Sequence, residues 1–206
     1  MGKVQSKIPL IREGSYTTRS RNDPSLNNAI IFCTGSHRYY DPTSSSPQFL
    51  MKITDLSSIN TSSQFENIAS QERRLTRPPV VGTYDRFVVV GGLNEHATGC
   101  SDVKVFEPRS KVWSVAPDLP RQIFWHSAAD LDGRIFVTGG FFQISTWILS
   151  SDLREWTTGP DIKKHRRTIH GSTSARGSVF ITGGGGDDGG DQSNAIRCTE
   201  RFDPRE

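Results

Sequence analysis

Ile135-Phe136-Val137-Thr138-Gly139-Gly140 is the stretch from which the fold is read. Four β-branched or aromatic residues are too few for a helix, and two glycines end the run, so it reads as a buried strand stopped by a turn. The layout occurs twice more, as Phe87-Val88-Val89-Val90-Gly91-Gly92 and Val179-Phe180-Ile181-Thr182-Gly183-Gly184. The step is 48 residues from Gly91 to Gly139 and 44 from Gly139 to Gly183. Downstream of each doublet comes a second strand: Val103-Lys104-Val105-Phe106, Thr146-Trp147-Ile148-Leu149 and Arg197-Cys198-Thr199-Glu200-Arg201-Phe202. Turns follow at Glu107-Pro108, Ser150-Ser151-Asp152 and Asp203-Pro204, and then Trp113 and Trp156 in the first two copies. Upstream, His126 and His170 repeat at the same 44-residue step, as do Gly133 and Gly177 in the turn before the strand. Self-similarity at a fixed period marks a repeat architecture.

These residues together resemble the kelch repeat over roughly residues 73 to 206. In that family each copy of about 50 residues forms one four-stranded blade of a β-propeller. The resemblance implies an all-β fold, a partial kelch-type propeller of four-stranded antiparallel blades. The glycine pairs Gly91, Gly92, Gly139, Gly140, Gly183 and Gly184 would let backbone pass closely at the inner end of each blade, and Trp113 and Trp156 would pack between blades. Residues 29 to 72 read as a degenerate first blade. Ala29 to Gly35 has the strand-to-glycine shape with Ser36 in place of the second glycine, Phe49 to Ile53 is its next strand, and Phe65 stands where the tryptophans do. The expected blades are then 29–72, 73–121, 122–165 and 166–206. Propellers usually close with four to eight blades, and the last copy ends before its expected Trp. The expectation is therefore a truncated chain, or a propeller completed by another copy, with open strand edges prone to self-association.

Composition narrows the function classes. The chain has 206 residues, 33% hydrophobic, 9% aromatic and 23% charged, which is a globular composition at the polar end of the range. A formal charge of +3 gives no reason to expect nucleic-acid binding. No run of about 18 apolar residues and no signal-peptide h-region occurs, so the expected location is cytoplasmic. Cys33, Cys100 and Cys198 are too far apart for local metal spacing and read as reduced structural thiols.

Residues 1 to 28 lack a periodic apolar pattern and read as a flexible arm. The arm begins Met1-Gly2-Lys3-Val4-Gln5-Ser6, which satisfies M-G-x-x-x-[ST], so Gly2 is a candidate for myristoylation and for peripheral membrane contact. One myristoyl chain binds membranes weakly, with a constant of about 10⁴ M⁻¹, and Lys3, Lys7 and Arg12 could add attraction to anionic lipid.

Gly184-Gly185-Gly186-Asp187-Asp188-Gly189 fits G-x-G-x-x-G after a strand, but another strand follows where a phosphate site needs a helix to open. It reads as a loop. Lys163-Lys164-His165-Arg166-Arg167 is a compact basic run in an inter-blade connection, a solvated loop and a candidate partner-binding element through Lys163, Lys164, Arg166 and Arg167. Some kelch-type propellers are enzymes, including copper radical oxidases and a sialic acid epimerase, and His126 and His170 invite that comparison. Their recurrence at the blade period favours a structural role, and no G-x-S-x-G, H-E-x-x-H or Walker sequence appears. The expectation is a non-catalytic module without cofactor or metal that binds another protein, with a sugar-directed propeller enzyme as the alternative.

Overall fold

A computed structural model of the chain describes the backbone of strands at 16–18, 30–34, 49–53 and 65–70. It describes residues 75, 78–83, 85–94, 96–107, 109–163, 165–186 and 195–204 in full. Among the described residues every regular element is a strand, and no helix is long and apolar enough to cross a membrane.

The strands form successive antiparallel sheets in chain order. The first contains β1 (Tyr16–Thr18), β2 (Ile30–Thr34), β3 (Phe49–Ile53) and β4 (Phe65–Ser70). The second contains β5 (Val80–Gly82), β6 (Phe87–Leu93), β7 (Gly99–Glu107) and β8 (Val112–Ala116). The third contains β9 (Ser127–Leu131), β10 (Arg134–Thr138), β11 (Thr146–Leu149) and β12 (Trp156–Thr158). After β13 (Arg167–Thr168) comes a fourth sheet of β14 (Gly171–Ala175), β15 (Ser178–Thr182) and β17 (Thr199–Phe202), while β16 (Gly185–Gly186) pairs back on β13. One difference from the sequence reading is β1. Tyr16–Thr18 pairs with Ile31–Cys33 inside the stretch expected to be an arm. Three β-forming residues at a sheet edge are too few to produce a readable period.

Local chemistry explains the inner hairpins. Asp132-Gly133 joins β9 to β10 with φ of 55° and 81°, and Arg176-Gly177 joins β14 to β15 with 50° and 75°. Two consecutive left-handed residues make the type I′ loop whose twist matches paired strands. The first strands of neighbouring sheets adjoin one another, β1 against β5, β5 against β9 and β9 against β14. Ser127 of β9 and Ser172 of β14 share a 2.6 Å hydroxyl hydrogen bond across that line.

Alternation along one strand serves two interfaces, because successive side chains point to opposite faces. On β10, Ile135 and Val137 join Val88, Val90, Val103 and Leu119 of the second sheet. Phe136, between them, faces the other way and packs with Val179 and Phe202 of the fourth sheet. On β6, Val88 and Val90 face the third sheet, while Phe87 and Val89 pack with Leu75, Phe106 and Trp113 on the opposite side. The second and third sheets are thus buried on both faces, which is why their central strands are continuous apolar runs. Burying one such side chain contributes about 1.5–3 kcal/mol.

Candidate functional site

The glycine doublets mark one end of the second, third and fourth sheets. β10 and β15 run toward that end and stop just before Gly139 and Gly183, as the sequence predicts. β6 departs from that reading: it continues through Gly91-Gly92 to Leu93, with the register shifting between Val90 and Gly92, so the doublet is absorbed as an irregularity and does not end the strand. Since Thr138 pairs with Ser127, the connection entering β9 arrives at the same end, and the connection entering β14 does so too because Thr182 pairs with Gly171. The connecting residues 117–126, 139–145, 159–163, 165–170, 183–186 and 195–198 therefore share one surface.

All six glycines have positive φ, from 50° at Gly91 to 112° at Gly92. Four of them lie against a histidine, while Gly92 faces Pro78 and Gly183 has only the Ile196 carbonyl within 4 Å. A Cβ on Gly91 would lie 3.1 Å from His126 Cε1, and one on Gly140 would lie 3.2 Å from His126 Cβ. A Cβ on Gly139 would lie 2.8 Å from His170 Cε1, and one on Gly184 would lie 2.8 Å from His170 Cβ. Each histidine is wedged between the first glycine of the preceding sheet and the second glycine of its own.

The imidazoles also bond backward along the stack. His126 Nε2 donates to the Val90 carbonyl at 3.1 Å, and His170 Nε2 shares a 2.9 Å hydrogen bond with Thr138 Oγ1. Both rings are almost fully buried. Burial is the main cause that pushes His126 down to about 3 and His170 down to about 4; proximity of His170 further lowers the former and the Arg167 charge the latter. Hydrogen bonding to Val90 and Thr138 only partly offsets this. Both are neutral at physiological pH, and the His126 proton sits on Nε2. Neither is presented to solvent as a base, and no cluster of three metal-ligating side chains occurs among the described residues.

Trp156 packs on the cluster between the second and third sheets and donates from Nε1 to the Pro117 carbonyl at 2.9 Å, so it joins neighbouring sheets. Trp113 occupies the matching place on the second sheet, tilted on Phe106 at 5.0 Å. Between the third and fourth sheets a cleft of about 500 Å³ opens, lined by Pro160, Ile162, Phe136, Val179 and Glu200 among others.

The basic run is divided by the fold. Lys163, His165 and Arg166 are exposed, and Lys164 and Gly2 lie outside the described residues. Arg167 corrects the expectation of a solvated loop, for its side chain is 0% exposed. It donates to Glu200 at 2.9 Å, to the Gly183 and Cys198 carbonyls at 2.8 and 3.1 Å, and to Cys198 Sγ at 3.0 Å. A guanidinium survives burial only when its forked donors are met in this way.

The sequence reading missed the apolar residues at this end. Phe124, Trp125, Phe141 and Phe142 form a chain of ring contacts with centroids 4.2 to 5.1 Å apart, and Phe142 and Ile169 are 55% and 57% exposed. The available signal was Phe141-Phe142 directly after a glycine doublet, where a solvated loop would carry polar residues.

Antiparallel sheets stacked face to face, with first strands side by side and connections gathered at one end, are blades of a β-propeller. No protein-family model matches the chain. It is 27% identical over 112 residues to the spermatocyte protein spe-26 of Caenorhabditis elegans, covering 52% of this chain and 20% of that protein. It is 26% identical over 147 residues to Kelch-like protein 36 of Bos taurus, covering 68% and 22%. An F-box/LRR-repeat/kelch-repeat protein of Arabidopsis thaliana is 27% identical over 204 residues, covering 87% and 49%. The chain thus spans from about a fifth to about half the length of these relatives. With the repeat spacing, these matches make the chain similar to kelch-repeat proteins, and its antiparallel sheets fit partial-propeller blades.

Proposed function

We propose that the chain is a non-catalytic interaction module that binds another protein through the loops at the doublet end. The supporting observation is the division of labour at that end. The histidines and glycines are consumed in joining blades, while Arg121, Phe142, Ile144, Lys163, Arg166 and Ile169 stay exposed on the adjacent connections, with Asp118 and Asp161 among them. Kelch-repeat relatives support an interaction role in general. A chemical cross-linking experiment on the full chain with a captured partner tests the reading. Cross-links through Lys163 and Lys164 are expected, whereas links confined to the opposite end, or sugar turnover that depends on His126 or His170, overturn it.

Cytoplasmic location and membrane tethering through Gly2 are separate proposals resting on the sequence, the second on Met1-Gly2-Lys3-Val4-Gln5-Ser6. Mass spectrometry of the N-terminal peptide tests the tether, and a free or acetylated Gly2 overturns it. Fractionation of cells carrying the Gly2→Ala chain tests the location, with recovery in the soluble cytoplasmic fraction expected.

A further inference from the structure

β8 is the outer strand of the second sheet, with β7 on one side and no strand on the other. Its sequence, Val112-Trp113-Ser114-Val115-Ala116, holds no charge and no proline. Trp113 turns inward onto Phe106, and Ala116 packs on the cluster between the second and third sheets. Val112 and Val115 stay out, 55% and 80% exposed, the latter the most exposed of the large apolar residues described. Three residues apart on a strand, they lie on opposite faces.

The other outer strands are blocked. β4 carries Glu66, β17 carries Glu200 and Arg201, and β12 is only three residues long, preceded by Arg154 and Glu155. Native sheets protect their edges with charges, prolines or short strands, because a bare row of amide and carbonyl groups templates pairing. β8 has none of these blocks along its five residues, and its exposed side chains are of the β-branched type that strands favour.

We infer that β8 is a pairing edge for an extended segment of another polypeptide, which adds to the second sheet as a fifth strand and lays β-branched side chains against Val112 on one face and Val115 on the other. Main-chain hydrogen bonds hold such a segment and alternate side chains select it. Area selects a peptide segment over a second copy of the chain. Five residues span about 17 Å, and one added strand about 5 Å deep covers far less than the roughly 800 Å² per partner of a stable dimer. Charge does not select the partner, since Lys104, Arg109 and Lys111 around the strand are balanced in number by Asp102, Glu107 and Asp118.

The test is fluorescence anisotropy with the full chain and labelled eight-residue peptides: alternating Val and Thr between terminal lysines, the same with every backbone nitrogen methylated, and the same with a central Pro. The first is expected to bind, and each control at least about tenfold more weakly. Val112→Lys with Val115→Lys is expected to cost a similar factor while thermal melting stays at the wild-type value. Thr157→Lys with Thr158→Lys, on β12, is expected to leave binding unchanged. Amide hydrogen exchange of residues 112–116 is expected to slow in the complex. No binding overturns the inference, as does equal binding of the methylated peptide, unchanged binding by the β8 variant, or protection confined to other strands. So does self-association that the β8 variant abolishes, or recruitment to phosphatidylcholine vesicles without peptide binding. Failure to cross-link a partner at the doublet end leaves this edge standing, because the peptide assay reads β8 alone.

Discussion

At Gly139 a Cβ would meet the Arg167 carbonyl oxygen at 2.7 Å and His170 Cε1 at 2.8 Å, on a backbone with φ of 60°. Neither obstacle is the loose end of a side chain, so Gly139→Ala is expected to lower stability by more than about 1 kcal/mol in urea unfolding. Gly183 is the contrast, since the nearest atom to its Cβ is the Ile196 carbonyl oxygen at 3.9 Å. Only its positive φ resists substitution, so Gly183→Ala is expected to be the milder of the two. The histidines make a pH prediction. Their ordinary value of 6.5 falls to about 3 for His126 and about 4 for His170 in the folded chain. Below 6.5 the unfolded chain binds more protons than the folded one. The stabilisation is complete above that pH and is lost as pH falls toward 4 and then 3. The slope is at most about 1.4 kcal/mol per pH unit for each ring. His126→Gln is expected to be less stable at pH 7 but to lose stability about half as steeply between pH 6 and pH 5. An unchanged slope counts against the assignment.

At the scale of elements, the ion pair between β13 and β17 replaces an apolar contact found one blade earlier. Arg167 lies 44 residues after Ile123, and Glu200 pairs with Ile181 where Trp147 pairs with Val137. Ile123 and Trp147 are both in the cluster between the second and third sheets. Breaking a buried ion pair on one side costs about 3–5 kcal/mol, whereas an apolar exchange of both partners is often neutral or stabilising. Arg167→Ala is therefore expected to unfold at markedly lower denaturant, and Arg167→Ile with Glu200→Trp to recover most of that loss. A double substitution as damaging as the single one would show that the carbonyls of Gly183 and Cys198 need the guanidinium more than Glu200 does. The alternation on β10 predicts that Ile135→Ala and Phe136→Ala each cost about 2–5 kcal/mol despite acting on different interfaces, since both side chains are fully buried.

At the scale of the whole molecule, the fourth sheet has an uncovered face among the described residues. β17 is an edge strand, and the face of the fourth sheet bearing Thr173, Phe180 and Arg201 is partly or fully exposed, whereas the matching face of β10 is covered through Phe136. Edge strands with an uncovered face pair with other chains unless blocked. This 206-residue chain is expected to sediment with a weight that rises with concentration, and Phe180→Lys is expected to suppress that rise. A monomer at every concentration would show that the exposed sheet is adequately solvated.

The repeat spacing, the strands ahead of each doublet and the structural use of His126 and His170 were legible in the sequence, because strand period and glycine turns act over a few residues and recur in register. Phe49 to Ile53 is likewise a strand where the apolar run predicts one. The basic run misled at Arg167, whose partner Glu200 lies 33 residues away and becomes its neighbour only when β17 joins the sheet. That Phe142 and Ile144 come alongside the segment of Lys163 and Arg166 was equally hidden, although the two cations themselves stood out in the sequence. Each segment alone looks like a loop, and only the stacking of blades sets one against the other. What the amino-acid sequence determined by itself was the unit that repeats, since hydrogen-bonded strands and left-handed turns are local. Which charges are buried and which apolar residues stay exposed was decided by the tertiary structure, since burial depends on what the neighbouring blade brings alongside.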